Sequence, residues 1–346
     1  MFKFFGQSSR IVIGTATAAI ISQWLGLSSA YLSVISCYVL MKAYGEDIHT
    51  KSLERVLGAT FAVSIVGLIV VLGFEHQWLQ IMLYVMWIFI LAYYSSIHDR
   101  HYAMLIASVI LGVALATQVT RTAEKALLNS EIWMLDVLIG AGVAIVVKGE
   151  FWELFKHVSQ DSKVCEKIKH KVSWLTVKKH IFVWDKTACI NAVQLLLVFG
   201  VIFAVNDIMN WQDYNVQAIV AASVISSQLS LIKSHQTLSY RLAGVVFGTL
   251  IAFITLHYLS QQTLFVSMLV WLFVFSCIAE QWQQYRYILI QAGIMLIVLL
   301  AVPNNDTAVA PTNYAWYRAL GSFEGGIICI LFIIIRQSLL LQDLDE

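Results

Sequence analysis

Apolar runs recur along almost the whole chain. A bilayer core of about 30 Å needs about 20 apolar residues in a helix, because each backbone polar group must find its partner inside the helix. Of the 346 residues 59% are hydrophobic and only 12% are charged, which is too few charges to solvate a soluble protein of this length. The sequence therefore predicts an all-α, polytopic membrane protein.

Hydropathy divides the chain into twelve spans in two halves. The spans lie near residues 11–25, 29–41, 53–74, 78–94, 102–118, 131–148, 187–205, 215–232, 239–259, 263–279, 285–302 and 315–337. We expect an N-terminal six-helix half at 1–148, a basic cytoplasmic linker at 149–186 and a C-terminal six-helix half at 187–346. The linker is amphipathic, and it is either a plain solvated connection or a helix whose basic face contacts anionic membrane lipid.

The distribution of basic residues predicts the orientation of the chain. An even number of spans in each half places both termini on the same side of the membrane. Of the 22 basic residues, all but Arg121, Lys125 and Arg318 fall on that side. Cytoplasmic loops are enriched in lysine and arginine, so both termini are predicted to be cytoplasmic.

The two halves carry matching charged positions. A shift of 186 residues superimposes Arg55 on Arg241, Gly58 on Gly244 and Arg100 on Arg286. The R-x-x-G pair thus opens the third span of each half, and the isolated arginine opens the fifth. Six spans per half predict two parallel repeats, which are related by an axis along the membrane normal.

Serines on one helical face mark the second span of each half. The spacing is the same in both spans: Ser29, Ser33 and Ser36, then Ser223, Ser227 and Ser230. Weakly apolar segments in matching positions of two halves are typical of a substrate path, whereas small residues also serve plain helix contacts. On the first interpretation, Ser33, Ser36, Ser227 and Ser230 contact the substrate.

Arginines stand at the cytoplasmic beginnings of four spans, namely Arg55, Arg100, Arg241 and Arg286. They either anchor the topology by extending to the interface or line a vestibule that concentrates anions. The second alternative predicts that they bind an anionic substrate.

Asp136 in the sixth span and Glu324 in the twelfth lie deeper in the membrane. A charge inside the hydrocarbon is costly, so each of these carboxyl groups is a functional candidate. Such a group suits proton binding and release, and hence coupling to a proton gradient. The alternative is a structural ion pair, for instance between Arg318 and Glu324.

Short motifs in this chain resemble the fusaric acid resistance and aromatic acid exporter family. The motifs are the segments 54–58 (ERVLG), 240–244 (YRLAG) and 317–321 (YRALG), the last followed by Gly325 and Gly326. The plan of six spans, a connection and six more is also similar, although characterised exporters usually carry a larger cytoplasmic domain between the halves. The resemblance implies efflux of aromatic carboxylic acids across a bacterial inner membrane beside a periplasmic membrane-fusion protein, and it adds Arg318 to the expected substrate-binding residues.

Three functional hypotheses follow. The first is a secondary transporter that exports small organic anions, with aromatic acids as candidates. The second is a passive anion channel, because plant aluminium-activated malate transporters resemble a six-span half of this family. The third is a membrane scaffold that transports nothing, and the many small residues in the spans also suit a homodimer.

Other classes of function find little support in the sequence. A membrane enzyme needs paired acidic motifs or a Ser/His or Cys/His set, and the sequence shows neither. The five cysteines are scattered, without metal-ligand spacing, so no metal or other cofactor is expected. A net charge of +1 gives no reason to expect a nucleic acid partner.

Overall fold

The described part of the chain folds into twelve α-helices. The computed structural model describes residues 2–27, 30–43, 48–72, 76–97, 101–120, 122–155, 185–211, 214–226, 231–300 and 311–342. The helices are α1 (Phe2–Trp24), α2 (Ala30–Ala43), α3 (Ile48–Leu72), α4 (Gln77–Ile97), α5 (His101–Thr120), α6 (Ala123–Phe155), α7 (Lys186–Ile208), α8 (Asn215–Ser226), α9 (Leu231–Tyr258), α10 (Gln261–Gln281), α11 (Arg286–Leu300) and α12 (Pro311–Gln342). A 3-10 turn, Gln283–Tyr285, precedes α11.

The helices confirm an all-α, multi-pass membrane protein. Within the described ranges, nine helices are long and apolar enough to cross a bilayer, and α2 and α8 contain shorter apolar segments, Tyr31–Lys42 and Asn215–Ser226. Eleven of the twelve predicted spans overlap one α-helix each, and the span at 215–232 covers α8 and the first two residues of α9. Several helices extend beyond the apolar run that predicted them, as α6 does from 123 to 155, because hydropathy detects only the part of a helix that faces hydrocarbon. Of the predicted linker, residues 156–184 lie outside the described part.

Helix packing in the first half is repeated in the second. Nine contacting helix pairs among the first six helices each have a counterpart among the last six, in which both helix numbers are higher by six. They are α1–α2 (α7–α8), α1–α6 (α7–α12), α2–α3 (α8–α9), α2–α6 (α8–α12), α3–α4 (α9–α10), α3–α5 (α9–α11), α3–α6 (α9–α12), α4–α5 (α10–α11) and α5–α6 (α11–α12). The contacts between the halves also form corresponding pairs, because α1–α10 corresponds to α7–α4 and α2–α11 corresponds to α8–α5. This two-fold pattern agrees with the parallel repeat that the arginine positions predict.

Corresponding helix ends are also built alike. Gly26 follows α1 and Asn210 follows α7, and both have left-handed backbones, with φ of 67° and 55°. In each turn the next residue donates its backbone N–H to a carbonyl five residues earlier, at Ser22 (3.0 Å) and Asn206 (2.7 Å). Glycine and asparagine tolerate this backbone conformation best, so both helices can stop with their last carbonyls satisfied.

The glycines of the two R-x-x-G motifs let neighbouring helices approach closely. A Cβ on Gly244 would lie 2.5 Å from the carbonyl oxygen of Ile288 in α11. A Cβ on Gly58 would overlap the carbonyl of Ala103 in α5, at the corresponding place in the first half. Small residues at helix crossings in membranes allow such backbone contact, so the glycine of each motif has a packing role.

The hydrophobic interior consists of two cores, and each core draws on both halves. One contains residues of α1, α2, α6, α9, α10 and α11, together with Ile48 of α3. The other contains residues of α3, α4, α5, α7, α8 and α12, together with Val137 of α6 and Leu238 of α9. The two sequence halves therefore do not pack as separate units.

Eight helices carry contacts between the halves, in the pairs α1–α10, α2–α11, α4–α7 and α5–α8. In α11 every residue from Leu289 to Leu300 is buried.

Successive helices alternate in direction. Gln80, early in α4, contacts Gln118, late in α5, so these two helices are antiparallel. Tyr93, late in α4, contacts Asp185 at the start of α7 (3.0 Å), so these two helices are also antiparallel. We call the end of the bundle at which the even-numbered helices finish the basic end, after its predicted lysine and arginine content.

Candidate functional site

Arg241 is a buried cation in the second half. It is the eleventh residue of α9, about 15 Å along the helix axis from the first residue. Its side chain is 2% exposed, and its Nε donates to Ser322 Oγ of α12 at 3.1 Å. Among the described residues, the enclosed Nη2 has no hydrogen-bond partner and no carboxylate lies within ion-pair distance of the guanidinium. A desolvated charge without a counter-charge is costly, so Arg241 is a candidate functional residue.

A second arginine lies on the same face of α12 as the Ser322 hydroxyl. Arg318 is four residues before Ser322, or about one helical turn, and is 9% exposed. Its Nη1 donates to Gln217 Oε1 of α8 at 3.5 Å. Helices α8, α9 and α12 thus bring two guanidinium groups, a hydroxyl and an amide into one buried region. Guanidinium groups bind carboxylates with paired, charge-assisted hydrogen bonds, so this donor set suits an organic anion.

Aromatic rings lie beside this set, toward the end of the bundle opposite the basic end. The ring of Tyr317 meets the ring of Tyr214 edge to face, with centroids 5.0 Å apart. The indole of Trp211 lies 5.5 Å from the Tyr214 ring and is 40% exposed. Aromatic edges and faces of this kind pack well against another planar ring.

Glu324 lies two residues beyond Ser322 on α12. Both of its carboxylate oxygens are enclosed and lack a well-formed hydrogen bond within the described part of the chain. Asn206 of α7 faces the carboxylate and binds Asn215 of α8 through its Nδ2 at 3.0 Å. The structural alternative, an ion pair between Arg318 and Glu324, is absent from the described residues, because six positions on a helix point the two side chains in different directions.

The first half brings Asp136 and two of the predicted serines to one helix contact. Asp136 of α6 is fully buried one turn before Gly140. Gly140 packs against the backbone of Ser33 and the side chain of Ser36 on α2. Ser33 Oγ is 2.6 Å from Ser22 Oγ of α1, so this hydroxyl also joins α1 to α2.

The second half contains a contact of the same kind. There, Gly325 of α12 packs against the backbone of Ala218 of α8. Ser227 and Ser230, like Ser29, lie outside the described residues, and so does Arg100. The role of the serines in substrate contact therefore stays a prediction.

The remaining predicted arginines have separate partners. Arg55 is half-buried, and its Nη1 donates to the Tyr102 hydroxyl of α5 at 2.8 Å. Arg286, the first residue of α11, donates to the backbone carbonyl of Lys42 at the end of α2. Arg241 binds α12, so the three described arginines of this predicted set bind three different helices. That they line a common vestibule stays a prediction.

Lys42 and Glu280 do not stand out in the sequence. Each lies just beyond a predicted span, at 29–41 and 263–279. In the structure Lys42 is fully buried and its Nζ is 2.6 Å from Glu280 Oε1. The buried Gln217 and Ser322 were also missed. No local motif distinguishes these four residues, because their significance lies in partners that are distant in sequence.

Comparison with known proteins agrees with the topology. The model of the family described as fusaric acid resistance protein-like matches residues 17–147 and 195–332, one stretch in each half. Neither the curated proteins nor the solved structures contain a significant match to the chain. The matched stretches cover most of the chain and include α2 to α5 and α8 to α11 in full, and such a family and fold point to a transporter-type membrane protein. The chain belongs to the fusaric acid resistance protein-like family.

Proposed function

We propose that this protein is a secondary transporter that exports small organic anions, with aromatic carboxylates as the substrate class. Family membership supports a transport function. The observation that carries the choice of anions is Arg241, a buried guanidinium without a carboxylate partner in the described part of the chain. An anion that reaches Arg241 provides the missing counter-charge, which offsets part of the desolvation cost of the cation.

The surroundings of Arg241 support a carboxylate with an attached ring. Ser322 and Gln217 add hydrogen-bonding groups, and Arg318 adds a second cation on the same face of α12 as Ser322. Tyr214 and Tyr317 provide ring surfaces beside these polar groups. Ligand sites commonly combine a few placed polar groups with aromatic walls.

For orientation, we propose that the basic end faces the cytoplasm of a bacterium and that the membrane is the inner membrane. Arginine and lysine at the ends of spans favour the cytoplasmic side. On this orientation an exported anion enters at the basic end and leaves past Tyr214 and Tyr317. A periplasmic membrane-fusion protein is the partner that we propose for release, and a homodimer remains a second proposal.

For coupling, we propose that Glu324 exchanges a proton during export, with Asp136 as the second candidate. We expect Glu324→Gln to abolish the acceleration of export by a proton gradient while exchange of labelled for unlabelled anion continues, because an amide keeps the size of the side chain but cannot take up a proton. Export and exchange measured in the same vesicles separate the two effects. Glu131→Gln, an exposed position on α6, is the matched control. Unchanged proton stimulation in Glu324→Gln would exclude this role.

The transport activity itself can be tested with inverted membrane vesicles. We expect them to accumulate labelled hydroxybenzoate against its concentration gradient when a proton gradient is applied. Vesicles without the protein are the control. Absence of gradient-dependent flux for a panel of aromatic acids would contradict the proposal. Planar-bilayer recording separates it from the channel hypothesis, which predicts ohmic anion currents that disappear in the double variant Arg55→Ala, Arg241→Ala.

A further inference from the structure

Three helix ends meet at the basic end of the bundle, and one buried lysine binds two of them. Lys42, the second-last residue of α2, is fully buried. Its Nζ donates to the Ser276 carbonyl oxygen of α10 at 2.9 Å and lies 2.6 Å from Glu280 Oε1, near the end of the same helix. Arg286, at the start of α11, donates to the backbone carbonyl of Lys42.

Each of these contacts satisfies a group that a helix end leaves unpaired or desolvated. The carbonyls of the last turn of α2 have no partner within the helix, and Arg286 binds one of them. The ammonium group of Lys42 has lost its water, and Glu280 supplies the counter-charge. Removing two charges from water costs about as much as their attraction returns, so a buried ion pair contributes little net stability. Such pairs are better suited to specifying one arrangement over another.

The cluster connects the two sequence halves. Lys42 belongs to the first half, and Glu280 and Arg286 belong to the second. Among the described residues, no ion pair joins the halves across the α4–α7 and α5–α8 contacts. The position of Glu280, moved by 186 residues, is occupied by Tyr94. The positions of Lys42 and Arg286, moved in the same way, are Gln228 and Arg100, which lie outside the described residues.

We propose that Lys42, Glu280 and Arg286 form a gate that closes the basic end between α2 and the ends of α10 and α11. The proposal rests on the proposed transport function, since a carrier that alternates access must open each end in turn. All three residues lie at helix ends, so the gate can open by separating these ends while the core below them stays packed. An incoming carboxylate competes with Glu280 for Lys42 and Arg286, which links opening to the anionic substrate.

Cys277 provides a reporter that does not depend on transport. It lies one turn before Glu280 on α10, within electrostatic range of Lys42, and is partly buried. In a variant that keeps only this cysteine, a membrane-impermeant maleimide reagent added to sealed inverted vesicles measures access to the basic end. We expect Lys42→Met and Glu280→Gln to raise the labelling rate of Cys277 about tenfold, because each variant removes the ion pair that holds the gate closed. This factor corresponds to about 1.4 kcal/mol of closing free energy. Glu280→Gln keeps the size and shape of the side chain, so faster labelling in this variant is not explained by a folding defect.

The matched control is Lys51→Met. Lys51 pairs with Glu54 at 2.9 Å within α3, so this variant breaks the other described ion pair without touching the gate. We expect its labelling rate to equal that of the parent. Equal labelling rates in Lys42→Met, Glu280→Gln and the parent would overturn the gate, whatever the flux assay shows. Faster labelling in both gate variants supports the gate even if the flux assay detects no transport of aromatic acids. The labelling assay therefore tests the gate, and the flux assay tests the proposed function.

Discussion

Arg241→Gln is expected to lower the export rate of an aromatic carboxylate about 30-fold, with the protein still folded and inserted. The glutamine keeps a donor for Ser322 but removes the buried positive charge that we assign to the substrate. Loss of one charged partner from a buried, hydrogen-bonded anion costs about 2 kcal/mol or more, which corresponds to this factor. Initial rates in inverted vesicles, normalised to the amount of inserted protein, measure the effect. Arg241→Lys retains the charge without the planar guanidinium, so we expect an intermediate rate.

Arg336→Gln is the matched control for this prediction. Arg336 lies on the same helix as Ser322, at the basic end, and its Nη1 donates to the amide oxygens of Asn191 and Gln194 on α7. It is also an arginine with neutral partners, but it lies away from the buried donor set. We expect its export rate to stay within about twofold of the parent, as for substitutions outside a site. An equal loss in both variants would mean that general destabilisation explains the result, and full activity of Arg241→Gln would remove Arg241 from the site.

Gly244→Ala should destabilise the bundle by about 1–3 kcal/mol, the usual cost of inserting a methyl group into a filled contact. The new Cβ would lie 2.5 Å from the Ile288 carbonyl oxygen and 2.6 Å from Gln291 Cβ. The first of these atoms belongs to the backbone of α11, so it cannot move away by a rotamer change. Helices α9 and α11 must therefore separate. A lower midpoint of thermal unfolding in detergent micelles is the expected observation.

Two other glycines serve as controls, because the space around them is open. A Cβ on Gly142 of α6 or on Gly200 of α7 meets no atom within 4 Å. Alanine in a helix is favoured over glycine by about 0.5–1 kcal/mol, so we expect Gly142→Ala and Gly200→Ala to leave the unfolding midpoint unchanged or to raise it. If Gly244→Ala behaves like these two variants, the close approach of α9 and α11 does not depend on this glycine.

The topology could be predicted from sequence because it follows from a local property. A helix in hydrocarbon satisfies its own backbone, so an apolar run of sufficient length is already a structural unit. That property placed a span on each of the twelve helices, including the short α2 and α8. The repeated R-x-x-G motif could also be found, because the close contacts of Gly58 and Gly244 require the same residue at the same place in each half.

The residues of the site were only partly predictable. Arg241, Arg318, Glu324 and Asp136 stood out because a charge within an apolar run is unusual in any membrane protein. Their partners did not stand out, since serine and glutamine are ordinary residues in a span. The serine pattern has the same limit, because an equal spacing within two helices does not determine which neighbouring helix each serine meets. In the first half Ser33 and Ser36 meet Gly140 of α6.

By itself, the sequence determined that the helices of this chain lie in a membrane, how many helices there are and which charged residues lie within the apolar spans. Only the tertiary structure decided which groups these charges meet. Arg241 and Ser322 are 81 residues apart, and Lys42 and Glu280 are 238 residues apart. The tertiary structure also decided that each core combines helices of both halves. The physical reason is that insertion of a helix depends on its own apolar length, whereas burial of a charge depends on the partner that packing brings to it.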